Sequence, residues 1–204
     1  MPYQPTTNFQ DSNGVDLGKK LLTKDYLLSV YGSLLTTLAP GLTFTPALWT
    51  WGDNTNGALG DNTTTPRSTP VTTFAGGINW KQVAGGGAQA SAIKTDGTLW
   101  VWGQNLTGQL GDNTTTNRST PVTTFSGGTN WKQVSSGYKN TAALKTDGTL
   151  WTWGQNSYGQ IGDNTGTSRN TPVTTFLGGN NWKQVFSSNG GTIAIQYVPD
   201  PTLG

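Results

Sequence analysis

The sequence of 204 residues contains no cysteine, no histidine and no glutamate, because its ten acidic residues are all aspartates. Without cysteine and histidine there is no disulfide framework, no Cys/His zinc site and no histidine base. Charged residues make up only 11% of the chain and the net charge is +2. This balance offers no basic surface, so we expect no nucleic-acid partner. The most apolar stretch, residues 26–38, is too short and too polar for a membrane span, so we expect no membrane insertion.

A repeat of fixed length organises most of the sequence. The segment LWTWGDN at residues 48–54 returns as LWVWGQN at 99–105 and as LWTWGQN at 150–156, each time 51 residues later. The segments GDNT, TPVTTF and NWKQV return at the same spacing. Residues 48–200 are therefore predicted to form three tandem units, 48–98, 99–149 and 150–200. A different N-terminal segment, residues 1–47, precedes them, and a short tail, residues 201–204, follows.

Each unit predicts four short strands separated by turns. The LWTW segment alternates between the two faces of a strand, and PVTTF, WKQV and ASAIK are further strand candidates. A Thr-Asp-Gly turn follows the fourth segment and is typical of a tight hairpin into the next LW strand. Four strands in about 50 residues are typical of one blade of a β-propeller. We therefore predict an all-β fold with three four-stranded propeller-type blades, one in each repeat, after a short N-terminal arm and helix.

The run AALKTDGTLWTWGQNSYGQIGD at residues 142–163 resembles the repeat of the regulator of chromosome condensation family. The resemblance covers residues 48–200 and implies a β-propeller, which in that family usually has seven blades. The family often places a histidine before the fourth strand, where this sequence has Gln89, Asn140 and Gly191. Three blades do not make a ring, and open blades expose apolar faces and strand edges. We therefore expect neighbouring copies or another protein to complete the assembly. A dimer would supply six blades and a trimer nine, and side-by-side packing without ring closure is a third arrangement.

The first 47 residues differ in character from the repeats. Residues 1–15 are polar, which is typical of an extended arm, and residues 16–38 predict an amphipathic helix. Its apolar stripe consists of Leu27, Tyr31, Leu34 and Leu38. This helix either packs on the edge of its own propeller or anchors the chain on another subunit. The segment YQPTTNFQDSNGVDLGKKLLTKDYLLSVY at residues 3–31 resembles the leading segments of structural proteins from tailed phages of marine cyanobacteria, which implies a place in a virion.

The nine tryptophans all fall on repeated positions. A residue that returns in every blade usually packs between blades, so we predict a structural core of Trp49, Trp51, Trp80, Trp100, Trp102, Trp131, Trp151, Trp153 and Trp182. Asp61, Asp112 and Asp163 repeat within turns, where an aspartate bonds the backbone ahead of it. Identical turn residues one blade apart do not form a catalytic carboxylate pair. We expect no catalytic residue, no metal ligand and no cofactor, and a protein that is not an enzyme.

Loop residues that differ between the repeats are the candidates for ligand binding, and they are Tyr138, Lys139 and Tyr158, together with Leu106. The favoured function is a structural protein of a tailed-phage virion. Its N-terminal segment docks on the capsid, neck or tail, and its blades form an exposed decoration, spike or fibre. Such a protein is assembled in the host cytoplasm and contacts other virion proteins and further copies of itself. The alternative is a propeller module that binds host-surface glycans or proteins, as an adhesin or scaffold.

Overall fold

The computed structural model describes residues 46–200, which form twelve β-strands and, within that range, no α-helix. The strands are β1 (Trp49–Gly52), β2 (Arg67–Thr72), β3 (Trp80–Gly85), β4 (Gln89–Lys94), β5 (Leu99–Gly103), β6 (Arg118–Thr123), β7 (Trp131–Ser136), β8 (Asn140–Lys145), β9 (Leu150–Gly154), β10 (Arg169–Thr174), β11 (Trp182–Ser187) and β12 (Thr192–Gln196). The predicted all-β fold is confirmed. The predicted arm, the helix with Leu27, Tyr31, Leu34 and Leu38, and the tail of residues 201–204 lie outside the described residues.

The twelve strands form four antiparallel sheets, two complete and two half as wide. Blade A contains β3 to β6 and blade B contains β7 to β10, each with four strands in chain order. The N-terminal half-blade contains β1 and β2, and the C-terminal half-blade contains β11 and β12. The described chain therefore holds the strands of three propeller-type blades, distributed over two complete blades and two halves.

The boundaries of the blades differ from those of the sequence repeats, which corrects the prediction of one blade per repeat. Each complete blade takes its first two strands from the end of one repeat and its last two from the start of the next. The reason is the turn after β4, where the Thr98 N–H and hydroxyl donate to Asp96 Oδ1 at 2.9 and 2.7 Å. This tight turn pairs β4 with β5 across the repeat boundary. The longer connection between β2 and β3, residues 73–79, carries the chain into the next sheet instead.

Neighbouring sheets pack side by side through contacts that repeat along the chain. Gln82 of blade A donates its side-chain N–H to Val134 O of blade B at 3.2 Å, and Val134 N–H donates to Gln82 Oε1 at 3.1 Å. Gln133 and Val185 form the same two bonds between blade B and the C-terminal half-blade, at 3.0 and 3.2 Å. One buried cluster joins blades A and B and consists of Ile93, Leu99, Val101, Leu110, Trp131, Val134, Ala143 and Trp153. Each sheet therefore depends on its neighbours for burial of its faces.

Candidate functional site

Three tryptophans pack together in each complete blade and connect it to the preceding repeat. In blade A the Trp80 ring lies 6.4 Å from the rings of both Trp100 and Trp102. Blade B repeats the arrangement at 6.3 and 6.2 Å. The Trp102 indole N–H donates to Ala58 O at 2.8 Å, which gives the buried indole the partner that it requires. These tryptophans therefore stabilise the contact between consecutive blades.

The N-terminal half-blade leaves equivalent side chains open to solvent. Within residues 46–200, β1 pairs only with β2, so its other edge is free. Trp51 is 60% exposed, whereas Trp102, its equivalent one repeat later, is 1% exposed. Trp49 is exposed too, and so is Val83 of β3, although its equivalent Val134 is buried. Two of the tryptophans predicted to be core residues thus lie on the surface of the described chain, because no complete blade surrounds them there.

The C-terminal half-blade exposes the complementary side of a blade. Ile195 is 53% exposed, whereas its equivalents Ile93 and Leu144 are buried in the complete blades. Phe186 and Ile193 lie opposite each other on β11 and β12, and both are exposed. Apolar side chains grouped on one surface are typical of a protein interaction site.

A cavity of about 340 Å³ lies at this C-terminal end of the described chain. Its walls include Tyr158, Gln160, Gly162, Trp182 and Thr192. Two of these residues are joined by a hydrogen bond of 2.9 Å, in which the Thr192 hydroxyl donates to Gln160 O. The cavity therefore combines aromatic and apolar residues with polar ones, a combination that suits an aromatic side chain with a polar N–H.

The loop residues predicted to bind a ligand lie in different turns. Tyr138 and Lys139 follow β7, where the Lys139 ammonium lies 5.4 Å from the centre of the half-exposed Tyr138 ring. Lys139 O accepts a hydrogen bond from Gln155 N–H at 2.8 Å. Tyr158 is exposed and lines the C-terminal cavity, and Leu106 is exposed in the turn after β5. Among the bonds and ring contacts of residues 46–200, none joins Tyr158 to Tyr138 or Lys139, so the structure does not gather the predicted residues into one site.

The repeated aspartates are built into the turns. Asp112 Oδ2 accepts from Arg118 Nε and Nη2, both at 2.8 Å, and Asp112 Oδ1 accepts from the Thr114 N–H at 3.0 Å and hydroxyl at 2.7 Å. Burial acts to raise the pKa of Asp112, but these hydrogen bonds and the Arg118 charge outweigh it and hold the pKa below its usual value. The equivalent aspartates Asp61 and Asp163 accept hydrogen bonds from the equivalent threonine and arginine of their own repeats, and their pKa values are also lowered. These carboxylates therefore act as turn residues and not as free acids or bases.

The described residues contain no cluster of metal-binding side chains and no membrane-spanning helix. No three acidic side chains between residues 46 and 200 come close enough together to hold a metal ion. No helix in that range is long and apolar enough to cross a membrane.

The open ends are marked in the sequence by departures from the repeat. Gly85 stands where the other repeats have Ser136 and Ser187, and Ile193 stands where blade B has Ala142. The prediction of ligand residues overlooked these departures because it considered loops and not strands. A comparison of the three units position by position within the strands would have found them.

Known proteins share this repeat. The family model for the regulator of chromosome condensation (RCC1) repeat matches residues 47–93, 96–144 and 147–195. The ultraviolet-B receptor UVR8 of Arabidopsis thaliana is 35% identical over 153 residues, which cover 73% of this chain and 34% of UVR8. The probable E3 ubiquitin-protein ligase HERC4 of Homo sapiens is 33% identical over 129 residues, which cover 62% of this chain and 12% of HERC4. The chain thus spans about a third or less of the length of these relatives.

Solved structures share the fold at lower identity. Yeast RCC1 (Prp20), in its crystal structure bound to Kap60, matches with a TM-score of 0.62 and 18% identity over 74% of this chain and 38% of that chain. Prp20p of Saccharomyces cerevisiae, solved in a study of its binding to Gsp1p and histones, matches with a TM-score of 0.58 and 16% identity over 74% of this chain and 40% of that chain. At these identities the likeness supports the propeller-type fold, which agrees with the blades described above.

Proposed function

The chain belongs to the regulator of chromosome condensation (RCC1) repeat family, and from this premise we propose that it is a non-enzymatic structural protein that works by binding other proteins. As an RCC1-like β-propeller it is related to UVR8, to the HERC proteins and to RCC1. One observation carries the proposal: residues that are buried in the middle of the array are exposed at both of its ends.

The chemistry of these ends suits a protein surface. Trp51 and Val83 at one end, and Phe186 and Ile195 at the other, are large apolar side chains beside free strand edges in the described chain. A free edge offers backbone N–H and C=O groups that another strand can pair. Yeast RCC1 was solved bound to Kap60, and Prp20p was studied with Gsp1p and histones. Those partners belong to those proteins, but they support protein binding as a use of this fold.

A more specific role follows from the N-terminal segment. We assign the chain to the virion of a tailed bacteriophage, assembled in the host cytoplasm, with residues 1–38 docked on a capsid, neck or tail protein and the blades facing outward. The resemblance of residues 3–31 to leading segments of phage structural proteins supports this role. A chain without oxidisable cysteine and with only 11% charged residues is compatible with it.

Mass spectrometry of purified particles of the phage that encodes the chain tests the virion role. We expect its peptides at a fixed copy number per particle, and their absence would contradict the role. In the full-length chain, Leu27→Asp with Leu34→Asp on the predicted apolar stripe should reduce incorporation about tenfold. Leu28→Asp with Leu35→Asp, off the stripe, is the matched control. An equal loss for both pairs would argue against docking through the stripe.

Glycan binding is a second candidate function, favoured by the exposed rings of Tyr138 and Tyr158. A sugar ring stacks on such a side chain, and the Lys139 ammonium near the Tyr138 ring adds a hydrogen-bond donor. A glycan array with the full-length chain tests it. Binding that is lost in Tyr138→Ala or Tyr158→Ala and kept in Phe125→Ala, an exposed aromatic elsewhere, would support this function. If the array shows no bound glycan, protein binding remains as the proposed function.

A further inference from the structure

We propose that the C-terminal half-blade of one chain and the N-terminal half-blade of a second copy join into one four-stranded blade. The β12 strand of one copy and the β1 strand of the other are its central pair. The inference depends on the same blade ends as the proposed function, and it names their occupant as another copy of this chain. Four observations support it: the strand order, a site for Trp51, a site for β2, and the sizes of the side chains that would meet.

The two half-blades hold complementary halves of one sheet. In blade B, β7 and β8 come from the end of one repeat, and β9 and β10 come from the start of the next. By the repeat, β11 and β12 are the equivalents of β7 and β8, and β1 and β2 are the equivalents of β9 and β10. Ala142 lies opposite Thr152 in blade B. The same register in the composite blade places Ile193 opposite Thr50 of the second copy.

The C-terminal half-blade has a site that fits Trp51. In blade B the Trp153 indole N–H donates to Gln109 O at 2.9 Å, and the same oxygen accepts a threonine hydroxyl at 2.8 Å. One repeat later, Gln160 O accepts the equivalent threonine bond at 2.9 Å, but no indole of the described chain donates to it. Gln160 and Thr192 both line the cavity of about 340 Å³. Trp51 of a second copy is the repeat equivalent of Trp153, and its indole N–H would donate to Gln160 O.

The backbone beside the cavity repeats the shape of a tryptophan site. A Cβ on Gly111 would lie 2.7 Å from Trp153 Nε1, so the indole packs directly against this glycine. The equivalent Gly162 has nearly the same φ, +68° against +66°. The nearest described atom to a Cβ on Gly162 is Thr175 Cγ2 at 4.0 Å. The turn therefore already has the conformation that accepts an indole.

A second prepared site accepts β2 of the other copy. Asn113 N–H donates to Asn170 O, at the start of β10, at 2.9 Å. The equivalent Asn164 has φ +62° against +64° at Asn113, but no acceptor for its N–H is found among the described residues. Nearby, a Cβ on Gly159 would meet no described atom within 4 Å. Ser68 of a second copy, the equivalent of Asn170, brings the missing carbonyl to Asn164.

The side chains that would meet at this contact have complementary sizes. Between blades A and B, Ser91 and Ser136 meet with their hydroxyls 2.8 Å apart. The equivalent pair in the composite contact is Ile193 with Gly85 of the second copy, so a large residue meets the smallest one. Phe186 lies opposite Ile193. Its equivalent Ser135 contacts Ser187, the equivalent of Gly85, so Phe186 would face the same glycine. A Cβ on Gly85 would meet no described atom within 4 Å. A bulky face at one end thus matches a recessed face at the other, which favours a second copy over an unrelated protein.

The contact is head-to-tail, and such contacts close into rings when the rotation permits. The described chain carries the strands of three blades. Propellers typically have about four to eight blades, and two copies supply six. We therefore expect a closed ring of two chains.

Cysteine cross-linking tests the register directly, because the chain has no cysteine of its own. Full-length Thr50→Cys and Ile193→Cys chains are mixed and oxidised, and opposite Cβ atoms about 4.5–5.5 Å apart are within disulfide reach after a small shift. We expect a covalent heterodimer at about tenfold the yield obtained with Thr50→Cys and Ser126→Cys, where the second cysteine is exposed in the middle repeat. Equal yields for the two mixtures, or a Thr50→Cys homodimer as the main product, would overturn the proposal.

Native mass spectrometry of the full-length chain provides the second test. The wild type should appear as a complex of about twice the 21.6 kDa chain mass. Gly85→Phe fills the recess that receives Phe186 and Ile193, and should weaken association about a hundredfold or more. Ser126→Phe, at an exposed position of the middle repeat, is the control and should leave the complex intact. Association in Gly85→Phe should return when its partner chain carries Phe186→Ala and Ile193→Ala. A monomeric wild type, or a complex insensitive to Gly85→Phe, would overturn the proposal.

The two proposals fail separately. A monomeric chain that is found in purified particles would overturn the composite blade and leave the virion role standing. A closed ring that is absent from particles would support the composite blade and contradict the virion role.

Discussion

The middle and the ends of the blade array have nearly the same sequence but different burial. Trp153 in blade B is buried, and Trp51, its equivalent two repeats earlier, is exposed. Local structure does not explain the difference, because both tryptophans lie on strands paired with the same TPVT segment. The neighbouring strands explain it, since blade B has a complete sheet and a preceding turn around its tryptophan, whereas the N-terminal half-blade has neither among the described residues. In a repeat protein the stability of each unit therefore depends on its neighbours, and an end without a neighbour among the described residues leaves its apolar side chains exposed.

The largest expected effect is a loss of stability on truncation of a tryptophan in the middle of the array. In a monomeric Gly85→Phe background, Trp153→Ala should lower the free energy of unfolding by about 3–5 kcal/mol, because it removes a buried indole and leaves a cavity. Trp51→Ala should lower it by about 0.5 kcal/mol or less, as an exposed substitution does. Urea denaturation followed by circular dichroism measures both. Similar losses at the two sites would mean that Trp51 is also packed within its own chain.

A smaller effect is expected from adding one methyl group at equivalent glycines. Gly111→Ala combines the strain of a positive φ, about 1 kcal/mol, with a Cβ that would lie 2.7 Å from Trp153 Nε1. Overpacking of this kind costs about 1–3 kcal/mol more. Gly162→Ala in the same monomeric background should cost only the strain, since the nearest described atom to its Cβ lies 4.0 Å away. Urea midpoints of the two variants compare them, and equal losses would contradict the open site.

The smallest difference between the middle and the ends is expected in the turns, where substitution of the aspartate should cost the same stability at both places. The hydrogen-bond partners of Asp112 and Asp163 belong to the same repeats as the aspartates themselves, so Asp112→Asn and Asp163→Asn should each lower the free energy of unfolding by about 1–3 kcal/mol at pH 7. Because the folded pKa of each lies below the usual aspartate value of 3.8, the stabilisation is present above that pH and is lost as the pH falls through the folded pKa. The difference from wild type should therefore shrink below about pH 3.8 in urea titrations at several pH values. Asp53→Asn is the control, since Asp53 is exposed and forms none of the ion pairs found among the described residues. A loss of stability in Asp112→Asn alone would contradict the view that each turn is stabilised within its own repeat.

Much of the fold could be predicted from the sequence because the repeat reveals it. The 51-residue spacing, the four strand segments and the Thr-Asp-Gly hairpin are all visible in the printed sequence, and the strands occur where they are predicted. The distribution of strands over sheets was not predicted correctly, although the hairpin after β4 already crosses the repeat boundary. The blade boundaries follow from the strands that each hairpin joins, and not from the position at which each repeat begins.

The candidate site was harder to predict because burial depends on neighbours in space. The tryptophans of the first repeat cannot be distinguished from those of the second by type or spacing. Only the sheet order shows that Trp49 and Trp51 have no covering strands within the described residues. The loop with Tyr158 illustrates the same limit, since its position beside the C-terminal cavity depends on a sheet that has only two strands among the described residues.

The central claim is that the free edge of β12 is covered in the native protein by a second copy. Hydrogen–deuterium exchange of the full-length chain measures this edge directly, since paired amides exchange slowly and free ones quickly. We predict that Thr192–Gln196 exchanges as slowly as Asn140–Lys145 in the wild type. In Gly85→Phe it should exchange quickly, while blade B remains protected. Fast exchange of β12 in the wild type, or slow exchange in both proteins, would contradict a blade shared between two copies.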